Sequence, residues 1–234
     1  MRLLWYGCSW VEGVRRKDIT PFPDLVSRNL DLEYENRGVG ATSIDHMVEA
    51  FSNDYNTGKL TESDIVVFCA TSSYRITWSG PYDEHFSFDY YDSISHTGFE
   101  SLEKNKAWML NFANDDISSF LAFKNLSLLY FMCKSMNIKC FFVNSYYPLT
   151  PQITNLIPPE NWLLPFDQSC VNLFEFVIIK PEPMIDDLPE FENDVWINHK
   201  EKIEKYLIPN DNHPNQLGNE TIANYLTPKL KKKL

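Results

Sequence analysis

The sequence predicts an α/β domain of three layers: a mostly parallel sheet of about five strands with helices on both faces. Two observations carry that prediction. Short β-branched or aromatic apolar runs alternate along the chain with helix-length segments, and parallel neighbours in a sheet need such crossovers. In addition, 234 residues that are 44% hydrophobic and 15% aromatic can bury one large core without disulfides. The chain reads as one domain over 1–234, with insertions near 74–112 and 146–194. No internal repeat, low-complexity tract or convincing linker divides it.

The elements follow in order. Residues 2–6 (RLLWY) form the first strand, which Gly7 ends. A polar loop comes next, then a short helix over 23–30. Residues 32–36 (LEYEN) alternate and make a second strand, broken by Gly38 and Gly40. Ser43 is placed to cap a helix through His46, Met47 and Phe51, because a serine oxygen accepts from the unpaired N–H groups of a first turn. Residues 64–70 (DIVVFCA) are a β-branched apolar run and the third strand. Residues 74–112 are aromatic and polar with little periodicity, a long excursion of the kind used as a lid or binding wall.

A helix from 114 onward is expected to put Ile117, Phe120, Leu121, Leu128, Phe131 and Met132 on one apolar face. Residues 138–143 (IKCFFV) are the fourth strand. The Pro-rich stretch 148–189 holds a fifth strand near 174–179 (FEFVII). A short helix over 194–207 and a loop over 209–214 lead into a last helix over 215–232, with Leu217, Ile222, Tyr225 and Leu226 on one face.

Composition narrows the function classes. The formal net charge is −11, and an acidic surface repels phosphate backbones, so no nucleic-acid partner is expected. The basic cluster Lys229, Lys231, Lys232 and Lys233 reads first as a solvated helix end whose cations offset the helix dipole. A docking or membrane role is the other reading. Cys8, Cys69, Cys133, Cys140 and Cys170 are odd in number and none has C-x-x-C spacing. The apolar neighbourhoods of Cys69, Cys133 and Cys140 predict buried free thiols.

The N-terminus lacks a signal-peptide pattern, and the most apolar stretch, 120–133, is interrupted by Lys124 and Asn125. No membrane span and a cytoplasmic location are therefore expected. His46, His85, His96 and His199 lack paired-ligand spacing, so neither metal nor cofactor is expected. The aromatic stretch Phe86, Phe88, Tyr90 and Tyr91 has two readings, packing onto the core and a platform for sugar rings. Gly38 and Gly40 lack the rest of a phosphate-cradling G-x-G-x-x-G.

Parallel sheets bind ligands at the carboxyl ends of their strands. After the first strand comes Gly7-Cys8-Ser9-Trp10-Val11-Glu12-Gly13, and just before the last helix comes Asp211-Asn212-His213-Pro214. A serine hydroxyl is a poor nucleophile without a base in hydrogen-bond reach. His213 is the best base in the sequence, and Asp211 is placed to accept from its other ring nitrogen and fix the tautomer.

These blocks resemble the SGNH (GDSL-type) serine hydrolase superfamily, in the variant whose first block reads G-C-S-[FW]-x-x-G, often met in bacterial and phage proteins. The resemblance implies a flavodoxin-like α/β/α fold and makes Ser9 the nucleophile. Residues 36–43 are similar to the second block, which donates a backbone N–H to the oxyanion. Ala41 falls where the family has glycine, next to Gly40. In the third block the family's oxyanion asparagine is replaced by Thr71, followed by Ser72 and Arg75, as in related G-C-S variants. A hydroxyl has a different reach from an amide, and loss of one oxyanion donor lowers turnover by roughly 10²–10³. The last block has the form D-x-H-P rather than D-x-x-H-P, so the carboxylate role falls to Asp211. Asn215 and Gly218 continue the similarity into the last helix.

The resemblance thus implies an esterase or deacylase with a Ser9–His213–Asp211 triad, Ala41, Gly40, Thr71, Ser72 and Arg75 around the oxyanion and substrate, and no cofactor. The expected partner is a small acyl ester, for example an O-acetylated glycan. A second hypothesis keeps the fold without the activity, as a structural or virion-associated interaction protein. A third, weaker one is a nucleotide-binding doubly wound domain.

Overall fold

The computed structural model describes residues 1–13, 18–40, 42–71, 76–79, 85–88, 115–145, 156–163, 204–209 and 211–234, with 76–79, 85–88, 115–119 and 211–212 described by their backbone. Four segments form a parallel sheet: β1 (Arg2–Gly7), β2 (Glu33–Gly38), β3 (Ile65–Ala70) and β6 (Lys139–Asn144), in the order β2-β1-β3-β6. β1 and β3 are central and buried on both faces, which is why they read as unbroken apolar runs. β2 is an edge strand and carries the charged residues Glu33, Glu35 and Arg37.

Side chains alternate across the sheet and feed two cores. On one face Leu3, Trp5, Ile65, Val67, Cys69, Phe141 and Val143 pack against α2 (Phe22–Asn29) and α5 (Gln216–Lys233). On the other, Leu4, Tyr6, Val66, Phe68 and Phe142 pack against α3 (Ile44–Asn56) and α4 (Asp115–Ser135). The architecture is therefore the expected three-layer α/β fold. The sheet has four strands among the described residues. The fifth strand expected near 174–179 lies outside them. Beyond β6, Trp162 forms an isolated parallel bridge to Phe142, and Leu163 N–H donates to Phe142 O at 2.9 Å.

Several expectations about detail change. The face expected for α4 is wrong: Phe120, Leu128 and Phe131 are exposed, while Ala122, Leu126, Leu129 and Cys133 are buried. The helix is apolar almost all round, so periodicity does not single out a face. In α5, Leu217 is likewise exposed, whereas Ile222 and Leu226 are buried with Gly218, Asn219, Ala223 and Leu230. The excursion over 74–112 contains an antiparallel pair, β4 (Ile76–Ser79) and β5 (His85–Phe88), in which Ile76 faces Phe88 and Trp78 faces Phe86. The alternation ITWS and HFSF was the available signal. β2 runs on through Gly38 instead of breaking there. Within the expected 209–214 loop, Asp211–Pro214 forms a strand instead, β8, antiparallel to β7 (Leu207–Ile208).

Cys8, Cys69, Cys133 and Cys140 are free and buried. Burial, with Cys8 nearby, pushes the Cys69 thiol well above its ordinary pKa, so it stays protonated. No described helix is long and apolar enough to cross a membrane.

Candidate active site

The carboxyl ends of the parallel strands lie together: Gly7 pairs with Gly38 and with Cys69, and Ala70 pairs with Asn144. The chain leaves β1 directly into α1 (Ser9–Glu12), a single helical turn where the sequence predicted a loop. Ser9 is its first residue and half-buried, while Trp10 and Val11 are buried. The turn closes on Cys8 O, which accepts from Val11 N–H at 2.9 Å and Glu12 N–H at 3.0 Å.

This turn rests on the end of β2. A Cβ added to Gly38 would lie 2.3 Å from Glu12 N and 2.8 Å from Val11 Cβ, a contact that only glycine permits. Polar bonds then fix the β2–α3 connection to α1. Asn36 Nδ2 donates to Val11 O at 2.6 Å, and Asn36 Oδ1 accepts from Gly38 N–H at 3.0 Å. Val39 N–H donates to Gly7 O at 2.9 Å. Gly40 N–H donates to Glu12 Oε2 at 2.6 Å, and a Cβ on Gly40 would lie 3.8 Å from Ser9 Cβ. Ser43 then caps α3 by accepting from His46 N–H at 3.4 Å, as expected.

His213 arrives from the far end of the chain. It is half-buried in β8, whose partner is β7, with Leu207 opposite Pro214 and Ile208 opposite Asp211. Two asparagines hold this strand. Asn215 caps α5, its Oδ1 accepting from Gly218 N–H at 3.0 Å and its Nδ2 donating to Lys205 O at 2.8 Å. Asn219 is 3% exposed: its Nδ2 donates to Pro214 O at 3.1 Å and Asn215 O at 2.9 Å, and its Oδ1 accepts from Phe22 N–H at 2.9 Å. A Cβ on Gly218 would meet Tyr206 O at 2.3 Å, so α5 can start this close to β7 only with glycine there. The result is that α1, carrying Ser9, lies against β8, carrying His213.

Thr71 follows β3 and is 1% exposed. Ala41, Ser72 and Arg75 lie outside the described residues, and so does the side chain of Asp211, whose backbone opens β8. Sequence reasoning did not identify Glu12, Asn36 or Asn219. Asn36 did carry a signal: asparagine is disfavoured in strands, and its side chain bonds readily to nearby backbone.

A hollow of about 360 Å³ lies beside the end of β2, lined by Asn36, Arg37, Val39, Asn53, Asp54 and Lys59, with neither Ser9 nor His213 in its wall. Its cations are paired: Arg37 with Glu35 and, at 3.3 Å, with Asp54, and Lys59 with Asp54 at 3.7 Å. Tyr6 donates to Asp54 from within the core at 2.8 Å. Burial and the Asp54 bond push the Tyr6 hydroxyl far above its ordinary pKa, so it is no proton source at neutral pH. Among the described residues no group of three or more His, Cys, Asp or Glu side chains is arranged to hold a metal ion.

No protein-family model matches the chain, and no curated protein matches it. Solved structures do. A catalytic mutant of an acetylxylan esterase from Geobacillus stearothermophilus aligns over 98% of this chain and 93% of its own, at 12% identity and a TM-score of 0.51. A protein described as a lipolytic member of the G-D-S-L family, from Desulfitobacterium hafniense, aligns over 97% and 98% at 12% identity and TM-score 0.46. A psychrotrophic esterase from Pseudoalteromonas aligns over 99% and 97% at 10% identity and TM-score 0.48. By its parallel sheet, its helical layers and the first of these likenesses, the chain has an SGNH-type hydrolase fold.

Proposed function

We propose that this protein is a serine esterase or deacylase that hydrolyses a small acyl ester. The observation that carries the reading is the packing of α1 against β8, which brings the Ser9 turn beside the His213 strand although some two hundred residues separate them. Ser9 Oγ attacks the ester carbonyl while His213 takes its proton. Asp211 holds the imidazole in the tautomer that can accept, and stabilises the imidazolium. The tetrahedral oxyanion is met by the N–H groups of Ser9 and Ala41, with the Thr71 hydroxyl assisting and Gly40, Ser72 and Arg75 near the substrate. Collapse returns the proton from His213 to the departing alcohol. Water, deprotonated by the same histidine, then releases the acid from the acyl-enzyme.

O-acetyl groups on carbohydrate are the substrate class we favour, in line with the acetylxylan esterase whose fold the chain shares. A fluorophosphonate probe tests the core of the proposal. Labelling that disappears in both Ser9→Ala and His213→Ala supports it. Absence of labelling from pH 6 to 9 overturns it in favour of an inactive interaction or virion-associated module, a reading that draws on Thr71 standing where an amide is usual.

A further inference from the structure

We propose that Glu12 is a positioning residue for this site: its carboxylate holds Gly40 against the Ser9 turn and so fixes where the chain beyond β2 passes the nucleophile. The inference rests on the esterase reading above for its catalytic part, and on geometry alone for its structural part. Glu12 lies three residues after Ser9 in the same helical turn, so the two side chains share a face. That face looks onto the β2–α3 connection, where Gly40 N–H donates to Glu12 Oε2 at 2.6 Å. Gly40 is also the residue whose Cβ position would fall 3.8 Å from Ser9 Cβ. A charge-assisted bond of this length is among the stronger and more directional a side chain makes to backbone.

The bond has two consequences for the chemistry. With its N–H engaged by the carboxylate, Gly40 does not donate to an oxyanion while that bond stands. The carboxylate also anchors Gly40 from the nucleophile's own helical turn, so Ser9 and the chain just beyond β2 are tied together. Asn36, in β2, fastens the strand end to Val11 O at 2.6 Å, and Glu12 fastens Gly40 just beyond the strand. Displacement of an oxyanion donor by even a fraction of its bond length weakens transition-state stabilisation more than substrate binding.

The experiment compares Glu12→Gln, which keeps an acceptor oxygen, with Glu12→Ala, which removes it. Two readouts are taken on the full chain: amide hydrogen exchange at Gly40, and the rate of fluorophosphonate labelling of Ser9 with its saturation constant. Glu12→Ala is expected to speed Gly40 exchange about tenfold or more and to slow the limiting labelling rate by about tenfold, with the saturation constant unchanged. Glu12→Gln should recover most of both. Unchanged Gly40 exchange in Glu12→Ala overturns the bond. Equal loss in both variants, with a parallel fall in thermal stability, overturns positioning in favour of a general structural role. A wild-type protein that is never labelled overturns the catalytic part together with the esterase reading, while the exchange comparison still decides the structural part.

Discussion

The two faces of the sheet are built from the same four strands yet do different work. The face under α3 and α4 is held by aromatic packing. Tyr6, Phe51, Phe68, Phe142 and Trp162 form a chain of rings with centroids 5.3 to 5.9 Å apart. The face under α2 and α5 has its own apolar core but is threaded with directional bonds. Trp5 Nε1 donates to Ser27 Oγ at 3.1 Å, Thr20 N–H donates to Gln216 Oε1 at 2.8 Å, and Asn219 ties α2 to the strand that carries His213. Packing tolerates small shifts, while hydrogen bonds fix position and angle. Hydrogen bonds occur on the aromatic face too, Tyr6 to Asp54 and Asn125 to Asp45, but on the α2–α5 face they join segments about two hundred residues apart.

That difference is sharpened most by separating activity from stability. Ser9→Ala is expected to lower hydrolysis of a short-chain p-nitrophenyl ester by at least about 10³-fold. Its unfolding free energy in urea titration should stay within about 0.5 kcal/mol of the parent, because Ser9 is a half-buried side chain outside either core. Phe68→Ala is expected to do the reverse. It removes a ring that is 0% exposed and touches three others, so urea unfolding should show a loss of about 3–5 kcal/mol. Activity per folded molecule should change little. A Phe68→Ala protein that stays folded but is inactive would show that the aromatic face also shapes the site.

Asn219→Ala should do both at once. It removes an acceptor from Phe22 N–H and two donated bonds to the His213–Asn215 segment, with an expected loss of about 1–3 kcal/mol. At a temperature where parent and variant are equally folded, kcat should still fall, because β8 loses its tie to α2. Unchanged kcat under those conditions would mean that β7 and Asn215 suffice to hold His213 in place.

The same contrast explains what was legible in the sequence. Strands β1, β3 and β6 announced themselves because burial on both faces demands unbroken apolar runs. Ser43 was legible as a cap because capping is local chemistry. The face of α4 was not, since DDISSFLAFKNLSLLYFMCKS offers apolar residues in every direction and tertiary contact chooses among them. Short motifs pointed to Ser9 and His213, whose elements α1 and β8 pack together. Glu12 and Asn219 were not legible, because each acts on the backbone of a residue elsewhere in the chain, and Asn36 offered only the general signal of an asparagine in a strand.

The smallest expected effect lies at the opposite end of the sheet, away from both helical faces. Arg2 donates to Asp64 Oδ1 at 3.1 Å and Oδ2 at 2.9 Å, and Thr61 N–H reaches Asp64 Oδ2 at 2.9 Å. Burial alone would push the Asp64 carboxyl up. The Arg2 guanidinium and the Thr61 N–H and hydroxyl outweigh it and hold the carboxyl below its ordinary value of 3.8. A folded-state pKa below the unfolded one means the charged form favours folding. That stability is fully present above about pH 4 and is lost as pH falls through the lower folded value. Asp64→Asn should therefore lower stability at pH 7 by about 1 kcal/mol, since Arg2 keeps Glu35 as a partner at 2.6 Å and is part-exposed. The gap between parent and variant should narrow as urea titrations move from pH 5 to pH 3. Because this clamp lies at the amino ends of the strands, the pH profile of ester hydrolysis above pH 5 should be the same in both proteins. A change there would mean that the two ends of the sheet are coupled through β1 and β3.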